Sequence, residues 1–215
     1  VRLESLLVQT KKCFDINVPI ELFETTELKG LAVVVREFQI PEKYALDLLR
    51  GMRMDIEGRE YHTIEELLDY CYCVAGTVGL MMCHIMGLSR SEALDNAVCM
   101  GNAMQLTNIS RDVLDDWNLG RIYFPQSWLK EYGLNKENFN LPDSRRLWSL
   151  MTQRLLKVAE KNYLIGRKGF DALPFRAAWA VAIAEQVYSK IGEKVLNKKE
   201  KAWDKRCYVT LIEKI

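Results

Sequence analysis

The stretch Gln105-Leu-Thr-Asn108-Ile-Ser-Arg111-Asp112-Val-Leu-Asp115-Asp116 concentrates the side chains best suited to chemistry. Asn108, Asp112 and Asp116 are spaced by four, so on a helix advancing about 100° per residue they drift only about 80° in all. Gln105, three residues before Asn108, falls in the same sector, and Asp115 lies just outside it. The pattern predicts a polar stripe of two amides and two carboxylates on a helix otherwise apolar at Met104, Leu106, Ile109 and Val113. Like charges four apart repel by a few tenths of a kcal/mol. These acids also precede Gly120, at the expected negative end of the helix dipole, where each anion is unfavourable by about 0.3–1 kcal/mol. A divalent cation removes both penalties, and oxygen ligands suit Mg²⁺, which takes one or two carboxylates with waters and phosphate oxygens. Arg111 and Arg121 flank the acids and could meet diphosphate oxygens as planar forks. Two other readings stay open at this point, a solvated acidic face and a structural ion-pair network.

Positioning such a stripe requires helices, and nearly every segment has helical period. Candidate helices cover 2–14, 20–38, 41–57, 63–87, 89–119, 144–170 and 174–197. Thr63 with Glu66 and Ser89 with Glu92 read as capping boxes. Pro41 and Pro174 suit first helical turns, and Gly87 and Gly120 suit left-handed helix ends. Gly120 to Pro125, with Ile122, Tyr123 and Phe124, is the one substantial non-helical piece. Within 63–87, Ala75, Gly76 and Gly79 cluster, and a mid-helix glycine costs about 1 kcal/mol relative to alanine. Close helix contact or a flat wall beside a ligand would each account for them. The reading is a single all-α bundle spanning 1–215.

Composition sets limits on function. The 215 residues carry 30 Lys+Arg and 29 Asp+Glu, a net charge of 30 − 29 = +1. Nucleic-acid binding, which normally needs a basic surplus, is therefore not expected. With 49% apolar residues, 12 Gly and 5 Pro, collagen-like and largely disordered readings fail as well. Cys13, Cys71, Cys73, Cys83, Cys99 and Cys207 form no C-x-x-C pair and read as buried, reduced thiols of an intracellular, cytoplasmic protein. His62 and His84 are too few and too far apart for a zinc site. Val74 to Leu88 is the longest apolar stretch and falls short of the roughly 18 residues of a spanning helix, which leaves peripheral attachment to a membrane surface open.

Asn108-x-x-Arg111-Asp112-x-x-x-Asp116, followed by Gly120-Arg121-Ile122-Tyr123-Phe124-Pro125, resembles the second aspartate-rich signature of squalene and phytoene synthases. Tyr70-Cys-Tyr-Cys-Val74-Ala75-Gly76-Thr77-Val78-Gly79 resembles that family's other signature, at the family's spacing. Gly51-Met52-x-x-Asp55 adds to the likeness. Leu173-Pro174-x-Arg176-x-Ala178-Trp179-Ala180 and Tyr188-x-Lys190-Ile191-Gly192 look closest to bacterial 15-cis-phytoene synthases. The resemblance implies an isoprenoid synthase fold, a helical bundle around a central apolar cavity. It implies head-to-head joining of two geranylgeranyl diphosphates through a cyclopropyl diphosphate to phytoene, the first step of carotenoid biosynthesis. By resemblance, Asn108, Asp112 and Asp116 bind Mg²⁺, with Mn²⁺ as a substitute, and Gln105, Arg111 and Arg206 line the diphosphate site. Tyr70 and Tyr188 would face the cavity, and Val74, Gly76 and Gly79 would leave room for a prenyl chain. No NADPH is expected for phytoene. Two alternatives remain: squalene or dehydrosqualene synthesis from farnesyl diphosphate, and a non-catalytic assembly protein of the same fold. Oligomeric state is not readable.

One departure stands out. Asp112 to Asp116 is the only D-x-x-x-D in the chain, whereas the family carries two such motifs on facing helices. Glu65-Glu66-x-x-Asp69 is the nearest other acidic group, but it opens a helix, where acids are simply favourable. The first motif is expected before Val1. The expected outcome is that the 215-residue chain, given geranylgeranyl diphosphate and Mg²⁺, yields no phytoene by product chromatography; turnover would refute the missing-motif reading.

Overall fold

Local chemistry at the helix starts sets the element order seen in the computed structural model, which describes residues 2–88 and 90–210. The Thr25 hydroxyl accepts from the Leu28 amide at 3.3 Å, and the Thr63 hydroxyl accepts from the Glu66 amide at 3.3 Å. The Glu66 carboxylate in turn accepts from the His62 amide at 2.8 Å, so donors at the helix mouth are satisfied from both sides. The helices are α1 (Arg2–Phe14), α2 (Thr26–Glu37), α3 (Glu42–Ile56), α4 (Ile64–Cys71) and α5 (Thr77–Met86). They continue as α6 (Leu94–Arg111), α7 (Val113–Asn118), α8 (Gln126–Glu131), α9 (Ser144–Arg167) and α10 (Phe175–Lys198). Among the described residues there is no strand.

Several expected boundaries move, each for a local reason. The helix expected over 20–38 divides into a 3-10 turn at Ile20–Leu22 and α2, because Thr25 is extended (φ −119°, ψ 154°) to cap the second piece. Pro41 and Pro174 stand one residue before their helices, at ψ 129° and 144°, rather than inside the first turn. Ser89 lies outside the described residues; beyond it a 3-10 turn, Ser91–Ala93, leads into α6. Gly87 ends α5 in the left-handed region at φ 74°. The stretch 121–125 is non-helical, and the short α8 was not anticipated by periodicity.

Two larger departures bear on the site. The helix expected over 63–87 is continuous but carries a π-helical segment at Tyr72–Gly76. The Thr77 hydroxyl, fully buried, donates to the Cys73 carbonyl at 2.7 Å within this widened turn. As one helix, Ile64–Met86 is long and apolar enough to cross a membrane by length and composition, more than the Val74–Leu88 stretch suggests. Here it packs between α3 and α6. The helix expected over 89–119 is interrupted at Asp112 (φ −102°, ψ 19°), which separates α6 from α7. Hydrogen bonds from Asp112 to the Asn108 carbonyl (2.9 Å) and from Asp116 to the Asp112 carbonyl (2.8 Å) still bridge the break, so the stripe stays in register.

The core is built on α6, which is packed by α9, α10, α5 and the π segment. Leu106 and Ala103 of α6 meet Met151 and Leu155 of α9, all buried. Trp148 of α9 donates to the Phe139 carbonyl at 2.9 Å, and Trp203 donates to the Ser110 carbonyl at 3.2 Å, which fixes the two ends of the chain's second half. A smaller cluster, Cys13, Phe23, Leu28, Ala32, Val35 and Ile40, joins α1 to α2. All six cysteines are free thiols.

Backbone proximity explains the small residues. A Cβ on Gly101 would lie 2.6 Å from the Ala75 carbonyl oxygen and 2.8 Å from the Gly76 Cα. Neither neighbour is a flexible side chain, so Gly101→Ala must push α6 away from the π segment, at a cost of about 1–3 kcal/mol. Gly30, on the exposed side of α2, has nothing within 4 Å of an added Cβ. Gly30→Ala should instead raise stability by about 1 kcal/mol. Denaturant midpoints of the two variants should move in opposite directions; equal shifts would contradict this packing account.

Candidate active site

At the C-terminal end of α6 the side chains of the predicted stripe converge. The Asn108 amide donates to Gln105 Oε1 at 3.3 Å, which leaves Asn108 Oδ1 buried with no hydrogen-bond partner among the described residues. A buried unsatisfied acceptor costs about 1–3 kcal/mol, so this oxygen is set up for something else. The Asp112 carboxylate is held by Arg111, through Nε to Oδ1 at 2.7 Å and a second contact from Nη2 to Oδ2, and by Arg206 Nη2 to Oδ2 at 3.1 Å. That hydrogen bond to Asp112 also raises the Arg111 pKa further. Asp116 is pushed up to about 7, first by burial and then by Asp112, with Asp55 and Asp115 adding to it and Arg121 opposing. This replaces the helix-dipole explanation. Because of the break at Asp112, Asp115 and Asp116 occupy the first turn of α7 rather than the last turns of one long helix. Burial first, and the neighbouring Asp112 second, is what penalises the Asp116 anion.

Beneath the stripe lies a second acidic group that sequence reasoning gave no role. Asp55 of α3 accepts from the Tyr123 hydroxyl at 2.8 Å and from the Tyr70 hydroxyl at 3.1 Å. The two phenol oxygens are themselves 3.1 Å apart, and their rings stack at 5.1 Å between centroids. Burial raises both phenol pKa values, and the nearby Asp55 adds to the effect, so both stay protonated as donors. Arg121 Nη1 reaches Asp55 at 4.0 Å. The only advance signal was Gly51-x-x-x-Asp55 itself, since pairing residues 15 and 68 positions apart is a tertiary outcome.

From the stripe an apolar cavity of about 490 Å³ runs back along α6. Gln105 and Asn108 stand at its polar end, where Tyr188 of α10 is close enough to act on the charge of Arg111. Val74, Val78, Gly79 and Met82 form one wall, and Met100, Ala97 and Ala93 of α6 another. Phe170 and Leu173 line it as well, from the α9–α10 connection.

Most of the predicted residues gather here, but two are placed elsewhere. Tyr70 does not line the cavity; it is 2% exposed and faces Asp55. Its hydroxyl is taken up by Asp55 of α3 and by Tyr123, which hold it on that side of the helix. Gly76 packs against α6 instead, where an added Cβ would meet Val98 at 3.4 Å and Asn102 at 3.5 Å. Arg206 reaches the stripe through Asp112.

Among the described residues no group of three or more His, Cys, Asp or Glu side chains surrounds one point. The donors on offer are the orphaned Asn108 Oδ1, the Asp116 carboxylate and the Asp112 carboxylate, all oxygens. That set fits part of the coordination of a hard divalent cation such as Mg²⁺, which leaves several positions for waters and phosphate.

Comparison with known proteins gives a consistent likeness. The sequence profile described as squalene/phytoene synthase matches residues 22–213. The 15-cis-phytoene synthase of Pantoea ananas is 47% identical over 182 residues, 85% of this chain and 59% of that protein. That of Paracoccus sp. is 36% identical over 214 residues, 100% of this chain and 68% of its own length. A dehydrosqualene synthase solved in complex with ligand superposes with a TM-score of 0.85 at 27% identity, covering 99% of this chain and 74% of that one. Squalene synthase HpnC from Alicyclobacillus acidocaldarius shares the fold, with a TM-score of 0.79 at 22% identity over 92% of this chain and 73% of that one. The match spans 59%, 58% and 57% of the first three relatives, less than two thirds of their length.

The crowded carboxylates make the fold pH-dependent. An unfolded Asp titrates near 3.9, whereas folded Asp116 titrates near 7, so between those values the folded chain holds the extra proton. Stability contributed by that proton is full below about 4 and is lost as pH rises through about 7. In chelator, the thermal midpoint should therefore be lower at pH 8 than at pH 5.5, and Asp116→Asn should remove most of that difference; an unchanged slope in the variant would contradict the assignment.

Proposed function

The chain belongs to the squalene/phytoene synthase family, and we propose that the protein carrying it joins two allylic C20 diphosphates head to head to form phytoene. The observation that carries this reading is the juxtaposition of an oxygen-donor stripe with a long apolar cavity on one helix, α6. Curated relatives at 36–47% identity bear the phytoene synthase name, which favours C20 over C15 substrates.

Each part of the site has work to do on such a substrate. Asn108 Oδ1, Asp112 and Asp116 would hold Mg²⁺, with remaining positions left to water and diphosphate oxygens. Bound Mg²⁺ supplies Lewis-acid stabilisation of the negative charge that grows on a departing diphosphate. Arg111 and Arg206, which here grip Asp112, present guanidinium forks that match diphosphate oxygens in the same way. Apolar walls keep water from the allylic cation after the diphosphate leaves. Tyr188, at the junction of the polar end and the apolar walls, faces the site where that cation forms. Tyr70 and Tyr123, tied to Asp55, fix the floor under the stripe rather than touching the prenyl chain. Condensation to phytoene involves no net reduction, so no NADPH is required.

In the protein carrying this chain, Asp112→Asn should lower phytoene formation from geranylgeranyl diphosphate and Mg²⁺ by roughly 100-fold or more, as expected when several kcal/mol of charge stabilisation is lost. Far-UV circular dichroism should be unchanged. Product analysis with C15 and C20 diphosphates, with and without NADPH, identifies the substrate class; retained turnover in the folded variant would overturn the metal assignment.

A further inference from the structure

We infer that Ala97 sets the substrate chain length, because its methyl is what lets a prenyl tail pass one helical turn further, to Ala93. This rests on the function proposed above and deepens it. The cavity-lining residues Ala93, just before α6, and Ala97, Met100, Met104 and Asn108 within it recur at helical spacing, so α6 runs beside the cavity from end to end. Its rise of about 1.5 Å per residue makes it a scale. From Asn108 at the polar end, Ala97 lies roughly 16 Å away and Ala93 roughly 22 Å away. An extended C15 prenyl chain spans roughly 14 Å and a C20 chain roughly 19 Å, at about 1.25 Å of advance per main-chain bond. A C15 tail therefore ends before Ala97, and only a C20 tail must pass it. The helical pitch of about 5.4 Å nearly equals the length of one added isoprene unit.

The surroundings of Ala97 keep the cavity wall low at this point. Gly79 of α5 faces it: a Cβ on Gly79 would lie 3.0 Å from the Ala97 carbonyl oxygen and 3.9 Å from the Ala97 Cβ. Two small residues thus pack side by side in the cavity wall, where a larger side chain on α6 would project into the space the tail needs. Beyond them the cavity continues to Ala93, Leu88 and Leu173, so the tail has apolar surface to bury once it has passed.

The test is the ratio of kcat/KM for geranylgeranyl diphosphate to that for farnesyl diphosphate, measured on the full protein with Ala97→Val, Ala97→Leu and Ala97→Gly. Side chains at this position grow into cavity space, and Ala97→Val adds only two methyl groups, so at least the mildest variant remains folded. The C20/C15 ratio should fall stepwise from alanine to valine to leucine, by about tenfold or more at leucine. Ala97→Gly should hold the ratio or raise it. A ratio unchanged across folded variants would overturn the role of Ala97. Failure of the underlying function would look different, since the full protein with Ala97 intact would then form no product from either diphosphate.

Discussion

Near-contact between the backbones of α6 and the π segment governs the rest of the molecule. At Gly101 the separation admits no side chain, because a Cβ there would sit 2.6 Å from the Ala75 carbonyl oxygen. Toward the N-terminal end of α6 the approach stays close, since a Cβ on Gly79 would lie 3.0 Å from the Ala97 carbonyl oxygen. Toward its C-terminal end come Gln105 and Asn108, and beyond them the carboxylates of α7. The π segment belongs to the same arrangement: Thr77 satisfies the Cys73 carbonyl inside the widened turn, so the distortion leaves no unpaired group there.

Electrostatics at the polar end work in the opposite direction from packing. Asp112, Asp115, Asp116 and Asp55 bring negative charge together, and Asp116 responds by holding its proton up to about pH 7. Arg111, Arg206 and Arg121 offset that charge without burying it completely, since Arg206 remains 61% exposed. An exposed guanidinium contributes little to stability, which makes its contact with Asp112 easy to exchange for another anion. Protonated Tyr70 and Tyr123 complete the arrangement from below, giving Asp55 two hydrogen bonds and no need of a metal.

Periodicity and capping chemistry made much of this legible in the sequence. Thr63, Gly87 and the acidic stripe fall where local rules place them, since each depends on neighbours within one turn. What stayed hidden depended on contacts between distant residues. No local rule reveals that a side chain at Gly51 would collide with Cys73 and Val74, so the π insertion and the pairing of Tyr70 with Asp55 were not readable. Likewise the break at Asp112 has no glycine or proline to announce it. The pairing of Asp55 with Tyr123 spans 68 residues and emerges only when α3 packs beside the loop after α7.

The break at Asp112 also accounts for how one helix can serve two purposes. With Asp112 at φ −102° and ψ 19°, the helix is interrupted while the hydrogen bonds to Asn108 and from Asp116 persist. Upstream of the break, α6 presents Met104, Met100 and Ala97 to apolar space; downstream, α7 presents carboxylates beside Arg121 and Arg206. Apolar space and charge within five residues of each other suit the proposed ionisation of an allylic diphosphate, because the leaving group needs charge and the cation left behind needs its absence.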